Sequence, residues 1–284
     1  MTDQRDGNSV FTAQQAQQQG FSTRNVMKDD FNMEVPVESV PLPSEGKVYP
    51  ADTSSHNRTH IDIKAMTAKE EDILTSRALI KKGTVISELI KSCVVDKSIN
   101  VNKLISGDRN ALMTAIRITG YGADYEAEVD CPECDERSKQ EFNLSELPIR
   151  RLEIEPVAEG ENAFEFELPV SKKKVVFRFL TGQDEQDMSI ASERRRKKKI
   201  GGDYDNVVTS RLHQSVMSVD GITDKNKIAQ FIRNMPARDS RMLRKYMDDN
   251  EPGVDMKLWM NCPHCFEESE VNLPIGASFF WPDA

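Results

Sequence analysis

Two short stretches of the chain read as copies of one another, Cys131-Pro132-Glu133-Cys134 and Cys262-Pro263-His264-Cys265, and they hold four of its five cysteines. Two thiolates two residues apart in a tight turn supply half of a tetrahedral metal site, and two such turns supply a whole one. Proline after the first cysteine stiffens each turn. Each pair is flanked by alternating runs. Tyr125, Ala127 and Val129 alternate with Asp124, Glu126, Glu128 and Asp130 before the first pair, and Phe142 and Leu144 follow it. Met256, Leu258 and Met260 alternate with Lys257, Trp259 and Asn261 before the second, with Val271 and Leu273 beyond. Period two marks a half-buried strand, and strand, thiolate turn, strand is half of a zinc ribbon. The expectation is one zinc held by Cys131, Cys134, Cys262 and Cys265, with the intervening chain hung from that clasp. The gap between the pairs is far outside the usual finger spacing, so closure depends on the inserted segment returning the chain.

Four thiolates complete a tetrahedral shell and leave no open position, which makes the expected metal structural rather than catalytic. Iron is a chemical alternative in such a shell, and metal-free knuckles are another. His264 lies inside the second knuckle but is not needed for the set. A thioredoxin-type redox pair would open a helix within a βαβ unit, whereas strands flank both pairs here. Cysteines concentrated in such pairs fit a reducing compartment better than a disulfide framework. A net charge of −9 argues against a nucleic-acid-coating protein. No run approaches the roughly 18 apolar residues of a membrane span, and the Gln-rich start has no apolar signal region. Phosphate-loop, dinucleotide and His-Glu-x-x-His patterns are missing, as is a His-x-Glu ahead of the cysteines. No enzymatic activity is expected.

The rest of the chain predicts an α+β fold in five parts. Residues 1–40 read as a flexible tail, with Gln14, Gln15, Gln17, Gln18 and Gln19 offering little to bury. Residues 41–123 form a helical region, entered through an extended, proline-punctuated stretch and a short strand at Ile61 and Ile63. Thr67 and Glu70 make a capping box for a helix carrying Ile73, Leu74, Leu79 and Ile80. Ile86, Leu89, Ile90 and Cys93 share a stripe on the next helix, which makes Cys93 a small core residue rather than a reactive thiol. Asp108 is placed to cap a third helix with Leu112, Ala115 and Ile116 facing inward. Residues 124–182 are the first knuckle arm followed by a hairpin of runs 163–168 and 174–180. Residues 183–252 are a helical insertion. It begins with a charged helix and Gly201-Gly202 as a break. Val208, Leu212, Val216 and Val219 then share one helix closed by Gly221. A helix capped by Asp224 and one started by Pro236, with Met242, Leu243, Tyr246 and Met247 inward, complete it. Residues 253–284 are the second arm and an aromatic end.

Two surfaces are candidates for partner binding. Arg194, Arg195, Arg196, Lys197, Lys198 and Lys199 form a cationic run. Without interleaved aromatics, in an acidic chain, it fits an acidic protein partner better than nucleic acid. A nucleic-acid-binding zinc ribbon is the runner-up reading. Phe279, Phe280 and Trp281 are costly to leave in water; either they fold back on the ribbon or they dock into a partner.

The order of features also resembles a known family. The stretches Leu42-Pro43-Ser44-Glu45-Gly46 with Tyr49, Lys69-Glu70-Glu71-Asp72-Ile73-Leu74, Gly107-Asp108-Arg109 and Arg117-Ile118-Thr119-Gly120-Tyr121-Gly122 lead to the first Cys-Pro-x-Cys. Arg238-Asp239-Ser240-Arg241, the second Cys-Pro-x-Cys and Phe279-Phe280-Trp281-Pro282 follow. Together they resemble the T-even phage baseplate hub subunit and hub-assembly family over about residues 40–284. The resemblance implies a non-enzymatic morphogenesis protein of contractile-tailed phages, structural or chaperone in role. Its implied partners are baseplate hub and tail proteins, including the tape-measure protein. Its implied location is the host cytoplasm during assembly and the virion baseplate. The four cysteines are the site residues that carry over.

Overall fold

The computed structural model describes residues 27–28, 34–198, 207–273 and 279–280, with side chains described at 35–191, 208–273 and 279–280. Short antiparallel ladders alternate with helices along the chain. Strand β1 (Met27–Lys28) pairs with β2 (Glu34–Val35), and β3 (Val37–Pro41) pairs with β4 (His60–Lys64). Ile61 and Ile63 alternate inward on β4, both fully buried. Helices α1 (Ala68–Thr75), α2 (Arg77–Lys82), α3 (Val85–Cys93) and α4 (Ser106–Tyr121) follow. The expected capping box is formed, the Thr67 amide donating to the Glu70 carboxylate at 3.0 Å. Leu89, Ile90 and Cys93 face inward on α3, and burial pushes the Cys93 thiol up to about 12. Helix α4 is buried on nearly every side, as a helix at the centre of a domain must be.

Strands β5 (Asp124–Asp130) and β6 (Arg137–Asn143) form the first arm in continuous register. After β7 (Ile149–Arg150), the hairpin β8 (Phe164–Glu167) and β9 (Lys174–Phe177) forms as expected. Helices α5 (Gly182–Lys198) and α6 (Val207–Ser215) and strand β10 (Val216–Val219) come next. Then come α7 (Lys225–Asn234), capped by Asp224 through the Lys227 amide, and α8 (Ala237–Asn250). Strand β11 (Gly253–Val254) leads to the second arm, β12 (Lys257–Asn261) and β13 (Glu268–Asn272). The architecture is α+β, with small antiparallel sheets throughout.

The insertion is closed at its base by backbone as well as by the knuckles. Strand β7, just past the first arm, pairs antiparallel with β11, just before the second. Pro252 and Gly253 pack so closely on α4 that a Cβ on Gly107 would lie 1.7 Å from the Pro252 carbonyl oxygen. Only glycine fits there.

Several sequence expectations need correction. Pairing begins before residue 40: β3 spans Val37–Pro41 and Val40 is buried, because its side chain faces the core across from Ile61. The helix expected from Thr67 onward breaks at Ser76, whose ψ of 104° is extended, and Ile80 is exposed on α2. Met242 is also partly exposed on α8. Asp108 does not cap α4; it sits inside the first turn, fully buried. The run from Val208 to Val219 is not one helix. Helix α6 stops at Ser215, and Val216–Val219 joins β9 as the third strand of that sheet. Asp220 and Gly221, both at positive φ, turn the chain from Val219 back to Ile222, the turn chemistry of a hairpin rather than of a helix end. The Gly201-Gly202 break and residues 1–26 lie outside the described residues.

Candidate metal centre

The two knuckles are built alike, position by position. In the first, the Cys131 amide donates to the Glu136 carbonyl at 3.0 Å and the Asp135 amide donates to the Cys131 carbonyl at 2.9 Å. In the second, the Cys262 amide donates to the Glu267 carbonyl at 3.0 Å and the Phe266 amide to the Cys262 carbonyl at 2.9 Å. The fourth residue after the leading cysteine is left-handed in both, with φ of 58° at Asp135 and 62° at Phe266. Each turn aims two sulfurs to one side, and the arms bring the pairs face to face.

The four Sγ atoms lie within 4.8 Å of one another. Across the arms, Cys131 is 3.8 Å from Cys265 and Cys134 is 3.7 Å from Cys262. A tetrahedron with metal–sulfur bonds of about 2.3 Å has sulfur–sulfur edges of about 3.8 Å. None of the four is in a disulfide; Cys131 and Cys262 are buried, Cys134 and Cys265 half-buried. The donor set therefore fits a single tetrahedral metal ion.

The electrostatics point the same way. Backbone amides of Cys265 and His264 lower the Cys262 thiol to about 6. The Glu136 amide favours a thiolate at Cys134, yet burial and the neighbouring sulfurs together push that group up to about 12. Four close sulfurs cannot all carry charge without a counter-ion, and a divalent cation removes that penalty.

The other sequence stretches turn out to be paired with one another. The Asp108 carboxylate accepts from the Ser44 amide at 2.9 Å, the Ser44 hydroxyl at 2.5 Å and the Tyr49 hydroxyl at 2.5 Å. The Tyr49 oxygen in turn accepts from the Ile105 amide at 3.1 Å. Burial raises both Asp108 and Tyr49 above their ordinary values. Arg117, also fully buried, donates to the backbone carbonyls of Phe279, Gly122 and Asp124 at 2.7, 2.7 and 3.1 Å. Asp239 accepts from the Val170 and Ser171 amides at 2.7 and 3.0 Å and holds the β8–β9 turn on α8. The three charged side chains are tied up in folding contacts. A family model described as T4 bacteriophage base plate protein matches residues 37–281. The chain belongs to this baseplate family. No curated protein and no solved structure matches it. The match starts at the first residue of β3, so the part of this baseplate protein from β3 through both knuckles is the family's own unit.

The partner-binding candidates fare differently. Phe279 and Phe280 fold back: both are buried, and Phe279 meets Tyr125 edge-on at 5.3 Å between ring centroids. They are not an exposed docking surface, because the Arg117 guanidinium and the Tyr125 ring give them a better site inside. Trp281 and Lys199 lie outside the described residues. Arg194 to Lys198 lie on the α5 backbone, with side chains outside the described part. Spacing in the sequence showed the cysteines; it could not show the Ser44–Tyr49–Asp108 or Arg117–Phe279 pairings, which are long-range. The order of the family motifs was the sole signal for them.

Proposed function

We propose that the chain is a non-enzymatic protein of baseplate-hub assembly, a hub subunit or an assembly chaperone that binds other tail proteins, with a structural zinc in its clasp. The observation that carries this reading is the family membership over residues 37–281. The chemistry supports it. Zinc suits four thiolates in a tetrahedron, and such a shell leaves no position for substrate. Of the charged groups deepest in the fold, Asp108, Arg117 and Asp239 are held by backbone and hydroxyl partners, and Glu70 by Lys64, Ser92 and Thr67. No helix among the described residues is long and apolar enough to cross a membrane. Partners on this reading are hub subunits and the tape-measure protein, met in the host cytoplasm during assembly, with the virion baseplate as the final location for a subunit. Affinity capture from infected cells with the tagged chain tests it. Hub or tape-measure proteins in the eluate, with tails failing to assemble in its absence, are expected. Normal tails without the chain and no tail protein captured would dismiss it. Looking for the polypeptide in purified virions then separates subunit from chaperone.

A further inference from the structure

The two knuckles give an internal control for one residue. At the left-handed position of the first knuckle stands Asp135, a residue type that tolerates positive φ. At the same position of the second stands Phe266, bulky, at φ 62° and 84% exposed. Neither backbone preference nor burial favours phenylalanine there. Glu267 and Glu268 follow it directly, both exposed and without a cationic partner among the described residues. The tip of the second knuckle is therefore an apolar projection in an acidic setting.

The complementary surface lies on the same chain. An open groove of about 620 Å³ runs between α1 and α3, lined by Ile73 and Val94, with Lys69, Lys91 and Lys97 outnumbering the one acidic lining residue, Glu88, which lies 4.0 Å from Lys91. The Lys97 ammonium donates to the Lys91, Ser92 and Val94 carbonyls at the end of α3. A fourth lysine, Lys64, is paired to Glu70 at 2.8 Å. Lys69 has no carboxylate partner among the described residues. Burial, with the nearby charges of Lys64 and Lys69, holds the Lys97 ammonium below its ordinary value. This is a cationic groove with apolar lining residues in a chain of net charge −9.

We infer that the Phe266 tip of one copy inserts into the lysine-edged groove of a second copy, with Glu267 and Glu268 meeting the lysines. The exposure of Phe266 shows that the tip does not fill the groove of its own chain. The contact is heterologous, knuckle to groove, so each copy keeps one free tip and one free groove and association continues into a ring or a chain. It concerns contacts between copies and stands apart from the proposed hub role. The interface is small, so its affinity is modest and its salt dependence strong.

Sedimentation of the full, metal-loaded chain from about 10 to about 500 µM tests it. The weight-average mass is expected to rise above the 32.2 kDa of one chain, and to fall back as salt goes from about 50 to about 500 mM. Phe266→Asp, which restores the first knuckle's residue type, and the double variant Lys69→Glu with Lys91→Glu are each expected to stay monomeric. Mixed in equal amounts they should form a dimer that does not grow, through the one intact tip and the one intact groove. Phe266→Asn serves as a second tip variant, and metal content checks that each is folded. A monomeric parent at low salt, a variant that associates like the parent, or a mixture that stays monomeric would each overturn the inference.

Discussion

Asp108 takes three hydrogen bonds from Ser44 and Tyr49 with no cation beside it. Removing the acceptor strands a buried amide and two hydroxyls, and an unpaired buried donor costs far more than a typical hydrogen bond contributes. Asp108→Ala should lower stability by about 2–4 kcal/mol, and Tyr49→Phe, which strands the Ile105 amide, by about 1–2 kcal/mol. Denaturant unfolding of both variants and of the double variant measures this. The double loss should fall short of the sum, because the residues share one network. Glu251 offers a pH test. Burial raises its carboxyl to about 7, with Arg211 opposing. The folded state therefore keeps a proton between about pH 4.5 and 7 that the unfolded chain has released. The contribution of this group is fully present below about pH 4.5 and is lost as pH rises through about 7. Glu251→Gln should be more stable than the parent at pH 8, by roughly 1–2 kcal/mol once the water reaching this partly exposed side chain is allowed for. The difference should vanish near pH 4. Melting curves across that range decide, and a variant less stable than the parent at pH 8 would mean that the Arg211 pair outweighs burial.

At the scale of elements, the β7–β11 ladder and the contact of Gly107 with Pro252 hold the base of the insertion. Gly107→Ala should cost about 3 kcal/mol or more, since backbone rather than a flexible side chain meets the new methyl. Thermal unfolding checks it; an unchanged melting temperature would mean that α4 and β11 separate freely. The arms were readable from residues because period two ran without interruption into each Cys-Pro-x-Cys. Strand β10 was not. Val208, Leu212, Val216 and Val219 fit a helical spacing, and what ends the helix at Ser215 is pairing with β9, over 35 residues away in sequence. The local warning was Asp220-Gly221, a hairpin dipeptide that also reads as a helix stop. The break at Ser76 was hidden for a similar reason, since apolar residues continue through α2 while its inward face has little to pack on. The four cysteines were legible as a set, yet their meeting depended on long-range pairing at β7 and β11 that two-residue strands cannot advertise.

Across the whole molecule, the two ends of the family unit are fastened to the same core. Phe279 and Phe280 close against Tyr125 and Arg117, on α4 and the first arm, while the second arm returns to the first through the thiolates. Deleting residues 279–284 exposes the site of two buried phenylalanines, each contributing about 1.5–3 kcal/mol, and leaves Arg117 one acceptor short. Against a total stability of about 5–15 kcal/mol, the truncated chain should unfold at markedly lower denaturant. Unaltered unfolding would return those residues to the docking role. The central claim is that one metal spans both knuckles and closes the insertion, so that metal binding is also folding energy. Its most direct test is elemental analysis of the purified chain, of Cys131→Ser and of Cys262→Ser. The account predicts about one zinc per parent chain and none in either variant, because each substitution breaks the same shell. A variant that keeps its full metal content would show that the knuckles do not share one ion.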